Sequence, residues 1–197
     1  MKQMFSATLA VFFIAVSSIT SCAQKSESVE PLYYVLTPGS DDVFGIPIDE
    51  TFASISDSFE VVEAGEGLRE GDPYNFLVVK VADELNVKIG FDGVLSNGRS
   101  HVYNFETRSS LVRDPYGLGV GSDLGRVMDA WPNGRVVSGL SDAGKYARYW
   151  TGTEIIFLLN PGHLEESCFI EYMPKCNIPR SITVEGIAVY PRLPDGS

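Results

Sequence analysis

Two short stretches of the chain carry apolar residues at the spacing of an amphipathic helix. The first set is Phe52, Ile55 and Phe59, and the second is Leu124, Val127 and Trp131. Spacings of three and seven residues put each set on one helix face. An offset of 72 residues superimposes the two sets without a gap. The offset predicts a duplicated unit, although two unrelated amphipathic helices would give a similar match.

After each helical stretch, apolar residues alternate with polar ones, which is typical of a strand half-buried in a sheet. Val87, Ile89 and Phe91, for example, alternate with Lys88 and Gly90. Eight segments of this kind are residues 59–62, 74–81, 86–91, 101–109, 135–138, 146–151, 153–159 and 181–190. The sequence therefore predicts an α+β domain in which two similar halves, each a helix followed by three or four strands, share one antiparallel sheet.

The flanks of these segments set the expected domain boundaries. Residues 22–31 lack apolar periodicity and are predicted to be a flexible tether, and residues 191–197 a loose tail. One domain is expected at residues 32–190, with its halves at about 42–110 and 114–190. Residues 160–179 interrupt the second half as an insertion or a long hairpin.

The N-terminal residues have the order of a signal peptide. Lys2 precedes an apolar stretch from Phe5 to Val16, and small polar residues from Ser17 lead to Cys22. The apolar stretch is shorter than the roughly 20 residues that cross a bilayer, so removal of residues 1–21 is expected instead of a permanent span.

The tetrapeptide Ile19-Thr20-Ser21-Cys22 resembles the bacterial lipobox, whose cysteine is acylated and becomes the mature N-terminus. The resemblance implies a lipid anchor on Cys22, and Ala23 after it favours the outer membrane. An acylated lipoprotein carries several acyl chains, and two membrane-binding groups already suffice for stable anchoring. The alternative is ordinary cleavage after Ala23, which would discard Cys22 and leave a periplasmic or secreted protein.

The chain is acidic. It has 15 basic and 26 acidic side chains, and loss of Lys2 with the signal peptide changes the formal charge from −11 to −12. Such a charge disfavours nucleic acid and anionic lipid surfaces, so neither is expected as a partner. It would favour a basic partner, although solubility alone also accounts for it.

The two remaining cysteines, Cys168 and Cys176, form an even pair in a chain predicted to enter an oxidising compartment. A disulfide between them is the expected outcome. Zinc binding is the alternative, but with His163 the pair supplies at most three ligands and no zinc spacing.

The candidate segments of the sequence do not match known motifs for catalysis or cofactor binding. The glycines of residues 117–121 have neither the dinucleotide-binding spacing nor the lysine of a phosphate loop, so turns with positive φ are expected there. His101 and His163 lie outside recognisable motifs and are expected at the surface. Carboxylate pairs occur at Asp41-Asp42, Asp49-Glu50 and Glu165-Glu166, but the sequence does not place them across a cleft. No cofactor or metal is predicted.

One aromatic segment is a candidate binding surface. On a strand, Tyr146, Arg148 and Trp150 share one face, and Tyr, Trp and Arg are enriched in interaction hot spots. The alternative is that this face packs against the second helix as part of the core.

The segment Gly119-Val120-Gly121-Ser122, followed by Leu124, Val127 and Trp131, resembles an element of small bacterial envelope lipoproteins. Tandem helix-plus-strands units are similar to the β-lactamase-inhibitor-protein architecture and to the small lipoprotein of the barrel-assembly machinery. The resemblance implies a protein that acts by binding proteins, but it transfers no binding residue.

Three functions are therefore considered. The first is a lipid-anchored, non-catalytic envelope protein that binds another protein. The second is an inhibitor of a basic secreted hydrolase such as lysozyme or a protease, which the acidic charge favours. The third is an envelope glycan hydrolase, which would need two facing carboxylates.

Overall fold

The computed structural model describes residues 33–69, 72–92, 100–141, 143–170 and 177–191, without the side chain of Arg69. Pro31–Ser197 form one compact unit. Cys22, the predicted signal peptide and Cys176 lie outside the described residues.

Twelve strands and two α-helices make up the described chain. In chain order the strands are β1 (Tyr34–Val35), β2 (Asp42–Val43), β3 (Ile46–Pro47), β4 (Glu60–Arg69), β5 (Asp72–Ala82), β6 (Leu85–Phe91), β7 (Val102–Thr107), β8 (Val112–Arg113), β9 (Arg135–Ser141), β10 (Gly144–Trp150), β11 (Ile155–Leu159) and β12 (Val184–Val189). The helices are α1 (Phe52–Ser58) and α2 (Leu124–Ala130), and two 3₁₀ helices follow at Pro161–His163 and Glu166–Phe169. None of the helices in these ranges is long and apolar enough to span a membrane.

Eight strands form one antiparallel sheet in the order β4-β5-β6-β7-β12-β11-β10-β9. The strands β1 and β8 pair in parallel, and β2 and β3 form a small hairpin. All eight predicted strand segments are strands of the large sheet, but β4 extends to Arg69, well beyond the predicted residue 62. The second half of β4 consists mainly of glycines and glutamates, so apolar and polar residues do not alternate there and the sequence did not predict the extension.

One cross-strand row defines the two faces of the sheet. Residues opposite one another on neighbouring strands share a face. The row runs across all eight strands through Arg135, Trp150, Ile156, Ala188, Glu106, Lys88, Val78 and Glu63. We call the face that carries this row the open face and the opposite one the helix face.

Both helices pack on the helix face. The Phe52 ring of α1 lies 5.2 Å from the Phe91 ring of β6, and the hydroxyl of Tyr149 on β10 donates to the Trp131 carbonyl at the end of α2. Ile55 and Val127 are buried in the same apolar cluster as these strands. Burial of this face supplies the main driving force for folding.

The two α-helices begin differently. Thr51 caps α1, because its side chain accepts a hydrogen bond from Ser54 N at 3.3 Å. Asp123 precedes α2 but makes no side-chain capping bond.

The prediction of an α+β fold with two similar halves is wrong. The described chain is mostly β: each α-helix has only seven residues, and the structure is dominated by one eight-stranded sheet with two small sheets beside it. β4 and β5 have 10 and 11 residues, whereas β9 and β10 have seven each, and a β-hairpin precedes only α1. Matching apolar spacing showed that two helices exist, but it carried no information about the lengths of the strands around them.

Candidate protein-binding face

The open face carries aromatic rings that lie over glycines of neighbouring strands. Tyr74 and Phe76 on β5 lie opposite Gly67 and Gly65 of β4, and Tyr146 on β10 lies opposite Gly139 of β9. A Cβ atom at these glycines would come within 2.5, 2.9 and 2.8 Å of the respective aromatic side chains. The missing side chains therefore allow the rings to lie flat on the sheet.

A first cluster forms around Lys88 of β6. Its Nζ atom lies 4.1 Å from the centre of the Phe76 ring and 5.8 Å from that of Tyr74. The two rings are 6.3 Å apart and tilted by 46°. Because a cation over an aromatic face is attracted by the ring quadrupole, these contacts hold the lysine against the sheet.

A second cluster forms from β9 and β10. The Arg135 guanidinium carbon lies 5.5 Å from the Trp150 ring centre, and that of Arg148 lies 5.2 Å from the Tyr146 ring centre. The side chains that β10 contributes, Tyr146, Arg148 and Trp150, are half-buried and not fully exposed. The Trp150 indole N–H is buried and has no hydrogen-bond partner within the described ranges.

Two tyrosines lie between the clusters. The rings of Tyr103 and Tyr190 meet edge to face at 5.3 Å, and the Arg148 Nη1 atom donates to the Tyr190 hydroxyl at 3.4 Å. The strands β6 and β10, which carry the two clusters, are four positions apart in the sheet, or about 19 Å at about 4.8 Å per strand. The open face thus presents aromatic and cationic groups over a broad area.

The sequence correctly put Tyr146, Arg148 and Trp150 on one side of a strand. They alternate along β10 with the buried Ala147 and Tyr149, and these two face the helices. The core-packing alternative therefore applies to Tyr149 and not to the three predicted residues. Whether those three bind a partner stays a prediction.

Sequence reasoning missed most of the open face. Tyr74, Phe76, Lys88 and Arg135 were assigned only to strands, because their positions relative to β10 depend on the strand order. A usable signal was present in β4, where Gly65 and Gly67 alternate in a segment that pairs with aromatic residues.

Cys168, one member of the predicted cysteine pair, lies near one edge of the helix face. Cys168 is buried and disulfide-bonded, while Cys176 lies outside the described residues, so their pairing stays a prediction. The Ser138 hydroxyl of β9 donates to the Cys168 carbonyl oxygen at 2.6 Å. Lys145 forms an ion pair with Glu166 and lies 5.0 Å from the Phe169 ring centre. These contacts fix the second 3₁₀ helix on the sheet.

The carboxylate of Asp114 lies at the start of the glycine-rich turn of residues 117–121. Gly117 and Gly121 have φ values of 74° and 86°, as expected for turns that need positive φ. The Asp114 Oδ1 atom accepts hydrogen bonds from Tyr116 N at 2.9 Å and from Leu118 N at 2.8 Å. The anion that these backbone N–H groups bind is therefore supplied by the chain itself.

Carboxylates also line a cleft of about 470 Å³ at the β2–β3 hairpin. Asp41, Asp42 and Glu154 line it together with Leu36 and Val43. The Asp42 Oδ1 atom accepts a hydrogen bond from Gly45 N at 3.0 Å, which engages this carboxylate in the turn. His101 and His163 are both exposed, and no three His, Cys, Asp or Glu side chains within the described ranges form a metal-binding group.

The surroundings of the Tyr149 hydroxyl shift its pKa. Burial raises the pKa of the Tyr149 hydroxyl above its usual value of 10.0, while a backbone hydrogen bond from Gly134 opposes this effect.

Trp131 joins three elements of the helix face. The Tyr116 ring packs edge to face on the Trp131 ring at 5.0 Å, and the Trp131 carbonyl oxygen accepts the hydrogen bond of the Tyr149 hydroxyl. The segment before the glycine-rich turn, α2 and β10 are therefore joined through one tryptophan.

Comparisons with known proteins do not identify a family. No protein-family model and no curated protein matches this chain. Among solved structures, the crystal structure of the uncharacterized protein yfeY from Escherichia coli is similar, with a TM-score of 0.48 and 15% sequence identity. The similarity covers 81% of this chain and 94% of that chain. At this TM-score the likeness supports neither the lipoprotein nor the inhibitor resemblance, and it carries no argument about function.

Proposed function

We propose that this protein is a non-catalytic binding protein of the bacterial cell envelope, anchored by a lipid on Cys22, whose open face binds another protein. The observation that carries the proposal is the pair of aromatic and cationic clusters on that face. The predicted signal peptide and the resemblance of Ile19-Thr20-Ser21-Cys22 to a lipobox support this location.

The size of the face favours a macromolecule over a small ligand. The strands β6 and β10 lie about 19 Å apart, and Tyr103 and Tyr190 lie between the clusters they carry. A typical protein interface covers about 800 Å² on each partner, or roughly 28 Å across, so one protein surface would reach both clusters.

The composition of the face also favours a protein partner. Tyr, Trp and Arg provide large contact areas and are enriched among residues that dominate binding energies. Because Tyr74, Phe76 and Tyr146 lie over glycines and each contacts a basic side chain, they are already ordered before binding. Ordering in the unbound protein reduces the entropy that binding costs.

Site-specific photo-cross-linking in intact cells tests this proposal. A photoreactive amino acid replaces Leu158, which lies on the open face opposite Arg148, and as a matched control it replaces the exposed Arg126 of α2. We expect one adduct of discrete mass from position 158 and none from position 126. The adduct should also disappear when Arg148→Ala and Trp150→Ala are added. Equal adducts from both positions, or no adduct from position 158, would contradict the proposal.

A further inference from the structure

The two arginines of the second cluster indicate the chemistry of the partner. We propose that Arg135 and Arg148 together bind carboxylates of an acidic segment of the partner protein. This inference rests on the proposed function and specifies which surface the open face recognises.

The sheet register places the two arginines side by side. Arg135 pairs with Trp150 and Arg148 pairs with Val137, so the arginines are diagonal neighbours on β9 and β10 with their side chains on one face. Diagonal neighbours lie about 7–8 Å apart, a separation that long side chains can bridge. Because their guanidinium groups lie over different rings, Trp150 and Tyr146, one acidic segment and not a single carboxylate would contact both.

No carboxylate occupies the positions around them. On the open face, the nearest cross-strand positions to Arg148 are Val137 on β9 and Leu158 on β11, and Ile156 lies opposite Trp150. Within the described ranges, the ion pairs are formed by other basic residues, namely Lys80, Lys145 and Arg180. No ion pair in the described part of the chain therefore neutralises either guanidinium group, although the formal charge of the whole chain is −11.

The first cluster differs in this respect. Glu106 of β7 lies directly opposite Lys88, so an acidic residue adjoins its cation. Among the described residues, Arg135 and Arg148 are consequently the ring-contacting cations of the open face without a carboxylate directly opposite. The side chain of Arg108, near Gly186 and Leu158, adds a further positive charge beside them. The acidic contact is expected there and not at the first cluster.

The contacts of the two arginines leave most of their hydrogen-bonding groups available. The guanidinium carbons lie 5.5 and 5.2 Å from the Trp150 and Tyr146 ring centres, and the Arg148 Nη1 atom donates to the Tyr190 hydroxyl at 3.4 Å. A guanidinium has five N–H donors in its plane, which match a carboxylate in a bidentate arrangement. Because the ring contacts order both arginine side chains before binding, their N–H donors can bind carboxylates at low entropic cost.

The same charges argue against a basic partner at this point of the face. The acidic net charge would attract a basic hydrolase over a long range, but electrostatic interactions between exposed charges are screened beyond about 8 Å at physiological salt. At contact distance, the two arginines would lie against cationic side chains, and like charges brought together in an interface are costly.

A peptide titration of the full-length protein in detergent solution tests this inference. The probes are three fluorescent peptides of one length that share one tyrosine and contain otherwise glutamate, glutamine or lysine. Fluorescence anisotropy measures the affinity of each, and the chemical shift of the Trp150 indole proton reports whether the second cluster is occupied. We expect the glutamate peptide to bind at least about tenfold more tightly than the glutamine peptide and the lysine peptide not to bind at the cluster.

Four variants locate the binding site. Arg148→Gln and Arg135→Gln should each weaken the glutamate peptide by about fivefold or more, as expected for one charge-assisted hydrogen bond. Arg148→Lys, which keeps the charge but loses the fork, should weaken it less. The control Arg126→Gln removes one charge from the opposite surface and should leave binding unchanged, and thermal melting verifies that each variant is folded.

Equal binding of the glutamate and glutamine peptides, tighter binding of the lysine peptide at the cluster, or an equal loss in Arg126→Gln would each overturn the inference. If the peptide test fails while the photo-cross-link at position 158 persists, the open face binds a protein without an acidic contact. If both fail, the proposed function falls together with the inference.

Discussion

The indole Nε1 atom of Trp131 donates a hydrogen bond to the Oδ2 atom of Asp114 at 2.7 Å. Because Trp131 is the C-terminal cap of α2 and Asp114 precedes the glycine-rich turn of residues 117–121, this bond joins the turn to the helix. The Trp131 carbonyl oxygen in turn accepts the hydrogen bond of the Tyr149 hydroxyl. A short connected set of side chains thus fixes α2 against β10, on the side opposite Arg148 and Trp150.

We expect Asp114→Ala to destabilise the protein by about 3 kcal/mol or more, because it leaves two backbone N–H groups and the Trp131 indole N–H without their acceptor in a buried site. Urea unfolding measures the change in the free energy of unfolding. The matched control is Asp123→Ala, since Asp123 precedes the same helix without a capping bond. A loss no larger for Asp114→Ala than for the control would show that the buried carboxylate is not required.

The raised pKa of Tyr149 should make the free energy of unfolding fall at alkaline pH. Its folded pKa lies above its usual value of 10.0, so above pH 10 the unfolded chain releases the phenolic proton first and stability falls as pH rises. We expect Tyr149→Phe to reduce this pH dependence, measured by denaturant unfolding between pH 9 and pH 11.

The control for that prediction is Tyr116→Phe, because Tyr116 is 58% exposed and its ring contact with Trp131 survives loss of the hydroxyl. At neutral pH, Tyr149→Phe should itself cost about 1 kcal/mol, since it removes the hydrogen bond to the Trp131 carbonyl. An unchanged alkaline slope in Tyr149→Phe would assign the pH dependence to other groups.

The predicted Cys168–Cys176 disulfide closes a short loop, which in the chain-entropy model contributes about 2.5 kcal/mol. We expect Cys176→Ala to lower the free energy of unfolding by about that amount. A reducing agent should destabilise the wild-type protein equally. The reducing agent should have no effect on the double variant Cys168→Ala, Cys176→Ala. Peptide mapping without reduction identifies the linked pair, and a link from Cys168 to any other residue would refute the assignment.

The lipid anchor is tested by metabolic labelling with a radioactive fatty acid. We expect label on the wild-type protein and none on Cys22→Ala, because acylation requires the thiol of this cysteine. The control Cys168→Ala should keep its label. An unlabelled wild-type protein with Gln24 as its first residue would establish cleavage after Ala23 and remove the anchor from the proposed function.

The alternation along β10 shows how far the candidate site followed from sequence. A strand places successive side chains on opposite faces, so Tyr146, Arg148 and Trp150 were assigned to one face without any knowledge of the fold. Which face meets the helices depends on pairing with distant strands. The positions of Lys88 and Arg135 relative to these residues were unknown for the same reason.

The sequence by itself determined the positions of both helices, all eight strands of the large sheet and the positive-φ turns at Gly117 and Gly121. These features depend on short-range spacing and on local backbone sterics. Only the tertiary structure decided that the fold is mostly β, that Asp114 binds the Trp131 indole and that Arg135 lies beside Arg148. Each of these depends on contacts between separate segments of the chain, and residue periodicity carries no information about which segments meet.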